Sequence, residues 1–185
     1  MPERAPPLPE LAGLSLVEIA QAAAERRLPP VEQWHPPHCG DSGMRIARDG
    51  TWFHDGRPIT RPAMVRLFAS LLRRETDGRH VLVTPVEKLD IAVDDAPFAA
   101  IEVTSEGEGP GRTLAFRLNT DEPVIAGPNH GLQLIDARPY LHVRAGLHAS
   151  LARPVYYELA ELALREGGNP AGLWSGGSFF ALSDE

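Results

Sequence analysis

One pattern occurs twice in this chain, and it constrains the architecture more than any other feature. Ile59 to Glu75 read ITRPAMVRLFASLLRRE, and Leu151 to Glu166 read LARPVYYELAELALRE. Arg-Pro opens both stretches, at Arg61-Pro62 and, 92 positions on, at Arg153-Pro154. Proline suits the first turn of a helix, where its missing N–H has no partner to lose. In the first stretch Met64, Leu67, Phe68, Leu71 and Leu72 take the i, i+3, i+4, i+7, i+8 spacing of one buried helix face. The same offset lands on Tyr156, Leu159, Ala160, Ala163 and Leu164. The preceding residues also correspond, MRIARDG in one copy and LHVRAGL in the other. The spacing therefore predicts a duplicated unit of strand hairpin, helix and strands. Leu67 and Leu159 are expected in the core, and Arg66 and Glu158 on the outer face. Alanines at 160 and 163 should let the second helix lie closer to its neighbour.

The rest of the chain supports an α+β class. Residues 1–13 are Pro-rich and read as a loose arm. Ser15 and Glu18 have the spacing of a capping box, with Leu14 and Ile19 as a hydrophobic staple, so an N-terminal helix is expected up to Arg27. Asp49-Gly50 and Asp55-Gly56 are turn signals between short strands. The first repeated helix is expected to run on to Glu75, with Asp77-Gly78 closing it. HVLVTP and KLDIAVDD read as strands, and FAAIEVTSEGEGPGRTLAFRLNTD as a hairpin. PVIAG, LQLID and PYLHVRAGLHA add short strands, and GLWSGGSFFAL a strand pair joined at Gly176-Gly177. The organisation expected is an N-terminal half over 14–96 and a C-terminal half over 97–185.

Charge excludes some classes of partner. The chain of 185 residues carries 18 Lys and Arg against 25 Asp and Glu, a net charge of −7. Neither half is basic, so a nucleic acid polymer and an anionic membrane surface are both disfavoured. No stretch resembles a signal core or a membrane span. A lone cysteine, Cys39, forms no internal disulfide, and a cytoplasmic location is the simplest expectation.

Several residues carry potential chemistry. WHPPHCGD gathers Trp34, His35, His38, Cys39 and Asp41, but its spacing matches no established zinc motif, so no metal is expected. Cys39 beside two histidines has the setting of an activated thiol. Burial as a small hydrophobe is the reading preferred for it. Trp174, Ser175, Gly176 and Gly177 offer hydroxyl and backbone N–H groups to an anion or a flat ring, and equally describe a plain hairpin turn. Arg61 and Arg153, at helix starts, either meet a carboxylate or reach an anionic ligand. Tyr156 and Tyr157 are expected as core and rim. Seven histidines are present, but nothing places one beside a nucleophile.

The motifs HCGD, GRPI, LVTPVEK (Leu82 to Lys88), DAPF (Asp95 to Phe98) and WSGG (Trp174 to Gly177), with their spacing, resemble the uncharacterised bacterial family called domain of unknown function 1285. The resemblance runs from Leu28 to the end, with Ala181 standing where a proline is expected. It implies an α+β fold with a duplicated core and a C-terminal half superficially similar to pleckstrin-homology-like domains. It also implies a small-ligand site between the halves, for a nucleotide-like molecule, and a signalling role. It carries over neither catalytic residues nor a cofactor.

The expectation is therefore a cytoplasmic ligand-binding or signalling module. Its candidate ligand-binding residues are Trp34, Cys39, Gly40, Arg61, Thr84, Lys88, Trp174, Ser175, Gly176 and Gly177. Two other classes stay open: a hydrolase using the His/Cys-rich loop, and a protein-interaction module that pairs partners along strand edges.

Overall fold

The computed structural model describes residues 28–183. The arm over 1–13 and the helix expected after Ser15 lie outside the described residues. A 3-10 turn at Val31–Gln33 leads into the first half. This half contains β1 (His38–Ile46), β2 (Trp52–His54), β3 (Arg57–Pro58), α1 (Pro62–Ser70), β4 (Leu72–Arg74), β5 (His80–Val83) and β6 (Glu87–Val93). The turn from β2 to β3 holds Asp55 at φ 47° and Gly56 at φ 77°, the two positive values that a tight hairpin turn requires. The second half contains β7 (Phe98–Glu106), β8 (Thr113–Leu118), β9 (Pro123–Ile125), β10 (Leu132–Ile135), β11 (Arg138–Arg144), β12 (Leu147–Leu151), α2 (Arg153–Glu166), β13 (Gly172–Ser175) and β14 (Ser178–Ala181). Helix and strand are both present, but the described chain is predominantly β.

The two halves build similar sheets. The first runs β3-β2-β1-β6-β5-β4, and the second, read in the same direction, β9-β8-β7-β12-β11-β10. In each, the first strand is central, the next two step outward from it, and the sixth returns to pair parallel with the first. The helices do not take equivalent places. α1 links the third and fourth strands of its half. In the second half that link is a short loop closed by the Gly127–His130 bridge, and α2 follows the sixth strand instead.

The 92-residue match therefore compares helices from different positions in the fold, and the matched stripe fails. α1 ends at Ser70, not Glu75, and Leu72 is already paired with Leu82 in the sheet. The helix packs through Val65, Phe68 and Ala69. Leu67 is 58% exposed and Met64 points outward with it. α2 is 14 residues long and ends at Gly167, in the left-handed conformation that glycine adopts at little cost. It buries Val155, Leu159 and Ala163, a line of i, i+4, i+8, and leaves Tyr156 and Leu164 exposed. Glu158 faces out as expected, whereas Arg66 reaches across to Asp121 in the other half at 3.3 Å.

One apolar core runs through both halves. Ile46, Trp52, Leu72 and Leu82 from the first join Phe98, Phe116, Leu141 and Leu159 from the second. Asn119 ties the β1–β2 turn to this body. Its side-chain oxygen accepts from the Ala99 amide at 3.0 Å, and its side-chain nitrogen donates to the Gly50 carbonyl at 3.1 Å.

Candidate functional site

A cleft of about 340 Å³ opens beside the first turn of α2. Arg48, from the β1–β2 turn, and Asp95, from the segment before β7, bring the first half to its wall. Arg138 and Tyr140 of β11 and Ser150 of β12 come from the second sheet, and Tyr140 and Ser150 are partners in register. Arg153, Tyr156 and Tyr157 of α2 complete the lining.

The electrostatics follow from the residue types. The Tyr140 hydroxyl donates to Asp95 Oδ1 at 2.6 Å. Burial, and then this carboxylate, push the phenol above its ordinary value, so Tyr140 stays protonated and orients Asp95. Three guanidinium groups share the cleft with that one carboxylate. The N-cap of α2, Ala152, supplies no side-chain acceptor, so the partial positive charge of the helix start adds to the arginines. This arrangement accommodates an anion, and the Tyr156 and Tyr157 rings, tilted 56° to one another, line the same cleft.

The residues singled out by sequence lie elsewhere, in three places. At one end of the first sheet Cys39 pairs in register with Lys88, and Gly40 with Leu89. Thr84 shapes the adjoining turn by accepting from the Glu87 and Val86 amides. Trp34 packs on Val31, Val81 and Val83, and its carbonyl accepts from Arg73 at 2.8 Å. Lys88 sits 3.3 Å from Glu75, which Arg73 also holds at 2.8 Å. Arg73 first, and then Lys88, lower the Glu75 carboxyl below the usual range. Cys39 is exposed, contrary to the burial expected of a lone cysteine. Every residue from His38 to Asp41 is exposed on either face of the strand, so this end of β1 projects beyond the core.

The second place is the β13–β14 hairpin. Here Ser175 pairs with Ser178, and Gly176-Gly177 form the turn as the sequence suggests. Ser175 is fully buried, its hydroxyl donating to the Ala126 carbonyl and accepting from the Leu114 amide. Gly176 lies so close to Ala126 and Gly127 that an added Cβ would come within 3.0 Å of a carbonyl oxygen. Trp174 meets Phe179 edge to face. The third place is Arg61, exposed at the N-cap of α1.

The arginine-lined cleft contains none of these ten residues. Arg153 and the Tyr156-Tyr157 pair lie in the repeated pattern, but Tyr156 is exposed wall of the cleft rather than core, while Tyr157 sits at the rim. Arg48, Asp95 and Arg138 come together only through tertiary structure: Arg48 lies in the MRIARDG flank and Asp95 opens the DAPF motif, but nothing local pairs them with each other or with Arg138. Among the described residues no three His, Cys, Asp or Glu side chains converge as metal ligands, and no helix is long and apolar enough to cross a membrane.

Comparison with known proteins adds the evolutionary frame. Residues 29–96 match the profile "Domain of unknown function (DUF1285), N-terminal domain", and residues 97–182 match "Protein of unknown function (DUF1285), C-terminal domain". A search of curated proteins finds no match. The crystal structure of a DUF1285 family protein from Silicibacter pomeroyi DSS-3 is 46% identical over 89% of this chain and 94% of that one, with a TM-score of 0.77. A second, from Shewanella baltica OS155, is 28% identical over 64% of this chain and 90% of that one, with a TM-score of 0.52. Two profiles that together span both sheets, and a relative of this identity and coverage, establish that the chain belongs to the DUF1285 family.

Proposed function

We propose that this protein is a cytoplasmic small-ligand-binding module with a role in signalling or regulation, and that its ligand sits in the cleft where the two halves meet. The observation that carries this reading is that Arg48, Arg138 and Arg153 line one cleft in a chain of net charge −7. A guanidinium fork matches the oxygens of phosphate or carboxylate. Tyr156 and Tyr157 present ring faces beside it, so a nucleotide-like molecule is the ligand class that fits both features. Because each half contributes a wall, a bound ligand has a means of biasing their relative position. We also read the second half as superficially pleckstrin-homology-like, since one long helix follows its six-stranded sheet.

Calorimetric titration with inorganic phosphate, nucleoside mono- and diphosphates and an unphosphorylated nucleoside tests the reading. A phosphorylated nucleoside is expected to bind, and Arg153→Gln to weaken it by about tenfold or more, the weight of one charge-assisted hydrogen bond. Absence of binding across the panel, or binding unchanged in both Arg48→Gln and Arg153→Gln, would refute it.

A further inference from the structure

Four of the seven histidines gather at the junction of the halves, His130, His142 and His148 from the second half and His80 from β5 of the first. His142 stands at the centre. Its ring lies 6.4 Å from that of His130 in a stacked pose and 5.4 Å from that of His148, edge on. Its Nδ1 lies 3.0 Å from the Asn129 carbonyl, which only accepts, so Nδ1 carries the hydrogen. Its Nε2 accepts from the Gly146 amide at 3.2 Å, so that nitrogen is bare. Gly146, in the turn from β11 to β12, in turn offers its carbonyl to Arg74 of β4, at 3.2 Å across the junction of the halves. His148 Nε2 lies 2.8 Å from the Gln133 side-chain nitrogen on β10.

We propose that this cluster is an acid-released latch between the two halves, closed while His142 Nε2 is bare and opened when that nitrogen takes a proton. A proton on Nε2 would set N–H against the Gly146 N–H, two donors with no acceptor between them. The turn must then rotate, and the carbonyl it holds out to Arg74 moves with it. The charged groups facing the cluster oppose its protonation, whereas the Gly146 backbone favours a proton on His148. Arg74 comes from β4, His80 from β5, His130 from the loop before β10, Gln133 from β10 and His148 from β12. Among the described residues no carboxylate ion-pairs with any of these four imidazoles. Burial first, and then Arg74 and the neighbouring imidazoles, hold His80 and His148 below the ordinary histidine range, with the Gly146 backbone opposing this at His148 by a smaller amount.

The latch does not depend on what the cleft binds. It does, however, adjoin the cleft wall. His142 and His148 are partners in register, and the next pair on the same face of these two strands, two positions along, is Tyr140 and Ser150.

Nuclear magnetic resonance titration of the full chain from pH 8 to 5 tests the latch without any substitution. The Gly146 amide is expected to titrate with the His142 ring, and the cross-half contact between Arg74 and Gly146 to vanish in the same step. A Gly146 amide that stays fixed while the histidines titrate, or a contact that survives to pH 5, overturns the proposal. Arg74→Gln provides a second arm. Removing this cation should raise the titration midpoints of His80 and His148, and unchanged midpoints would equally overturn the shared electrostatics on which the latch rests.

Discussion

Arg144 of β11 donates from Nη2 to the carbonyl of Ala69, 3.0 Å away near the end of α1 in the other half. A helix C-terminus leaves carbonyls without intrahelical partners and carries partial negative charge, so a guanidinium there is favourable twice over. The same side chain holds both carboxylate oxygens of Glu122 at 2.9 Å and lies over the Phe98 ring at 5.1 Å. One arginine thus links α1, the β8–β9 connection and the start of β7.

The first prediction is that Arg144→Met destabilises the chain by about 2 to 3 kcal/mol. This is below the range for breaking a fully buried pair, because the two side chains keep 20% and 13% exposure. Glu122 would be left without its cation, and the last turn of α1 without its donor. Equilibrium denaturation checks it. A loss under about 0.5 kcal/mol, the scale of ordinary surface substitutions, would mean that the network is incidental.

The leucines of the repeated pattern now make an unequal pair. Leu159 is fully buried in the shared core, and Leu159→Ala should cost about 2 to 5 kcal/mol. Leu67 is mostly exposed, and Leu67→Ala should cost under about 1 kcal/mol. Because the core is continuous across both sheets, Leu159→Ala should lower one calorimetric transition of the whole chain. Two separated transitions would show that the halves melt independently.

These two leucines also show how far the sequence could be read. Strands announced by alternation and closed by local turn signals were legible, with Asp55-Gly56 between β2 and β3 and a Gly-rich loop between β7 and β8. So was the duplication, but its unit was misplaced. Leu71 and Leu72 continue the helical spacing of Met64 and Leu67, although Leu72 belongs to a strand. Periodicity alone does not separate a helix from an apolar run that leaves it for a sheet. The halves in fact correspond through strand order, β1 with β7 and β6 with β12, which sequence spacing does not display. The cleft was the least legible part. Arg48 and Asp95 lie 47 positions apart, and Arg138 a further 43 beyond Asp95. Nothing in the sequence spacing relates the three, and only the sheets bring them to one cleft. The glycine and tryptophan motifs were conspicuous for the opposite reason, since WSGG is a compact local device whose hydroxyl serves the backbone.

A third prediction concerns acid. Arg73 lowers the Glu75 carboxyl below its usual 4.5 in the folded chain. A carboxylate with a depressed folded pKa contributes stability that is present above the unfolded value and lost as pH falls through the folded one. Arg73 is buried and spends its other bonds on the Val31 and Trp34 carbonyls, so losing the charge of Glu75 leaves the guanidinium poorly compensated. Glu75→Gln should therefore destabilise at pH 7 by about 1.5 to 2 kcal/mol, the lower end of the range for a charge-assisted hydrogen bond. The gap from wild type should close as pH drops below 4.5. Denaturant midpoints across pH 3 to 7 provide the check, and a gap independent of pH would mean that the ion pair is not its source.

The last prediction separates a structural hydroxyl from a ligand-binding one. Ser175 sits in the motif that first suggested an anion site, yet its oxygen lies 2.7 Å from the Ala126 carbonyl and 2.8 Å from the Leu114 amide, with no exposed surface. It occupies the point where the β13–β14 hairpin docks against β8 and the segment after β9. Ser175→Ala would strand a buried carbonyl and a buried amide together, at a cost of about 1 to 3 kcal/mol for each group left unsatisfied. Ser175→Cys keeps a weak donor and acceptor but adds bulk where nothing is open, so it should rescue only part of that loss. Neither change touches the arginine-lined cleft. Melting temperature should therefore fall in the order wild type, Cys, Ala, while the affinity of the folded variants for a phosphorylated nucleoside stays at the wild-type level. If Ser175→Ala instead leaves the melting temperature unchanged and abolishes binding, the ligand lies at the hairpin and the cleft loses its claim.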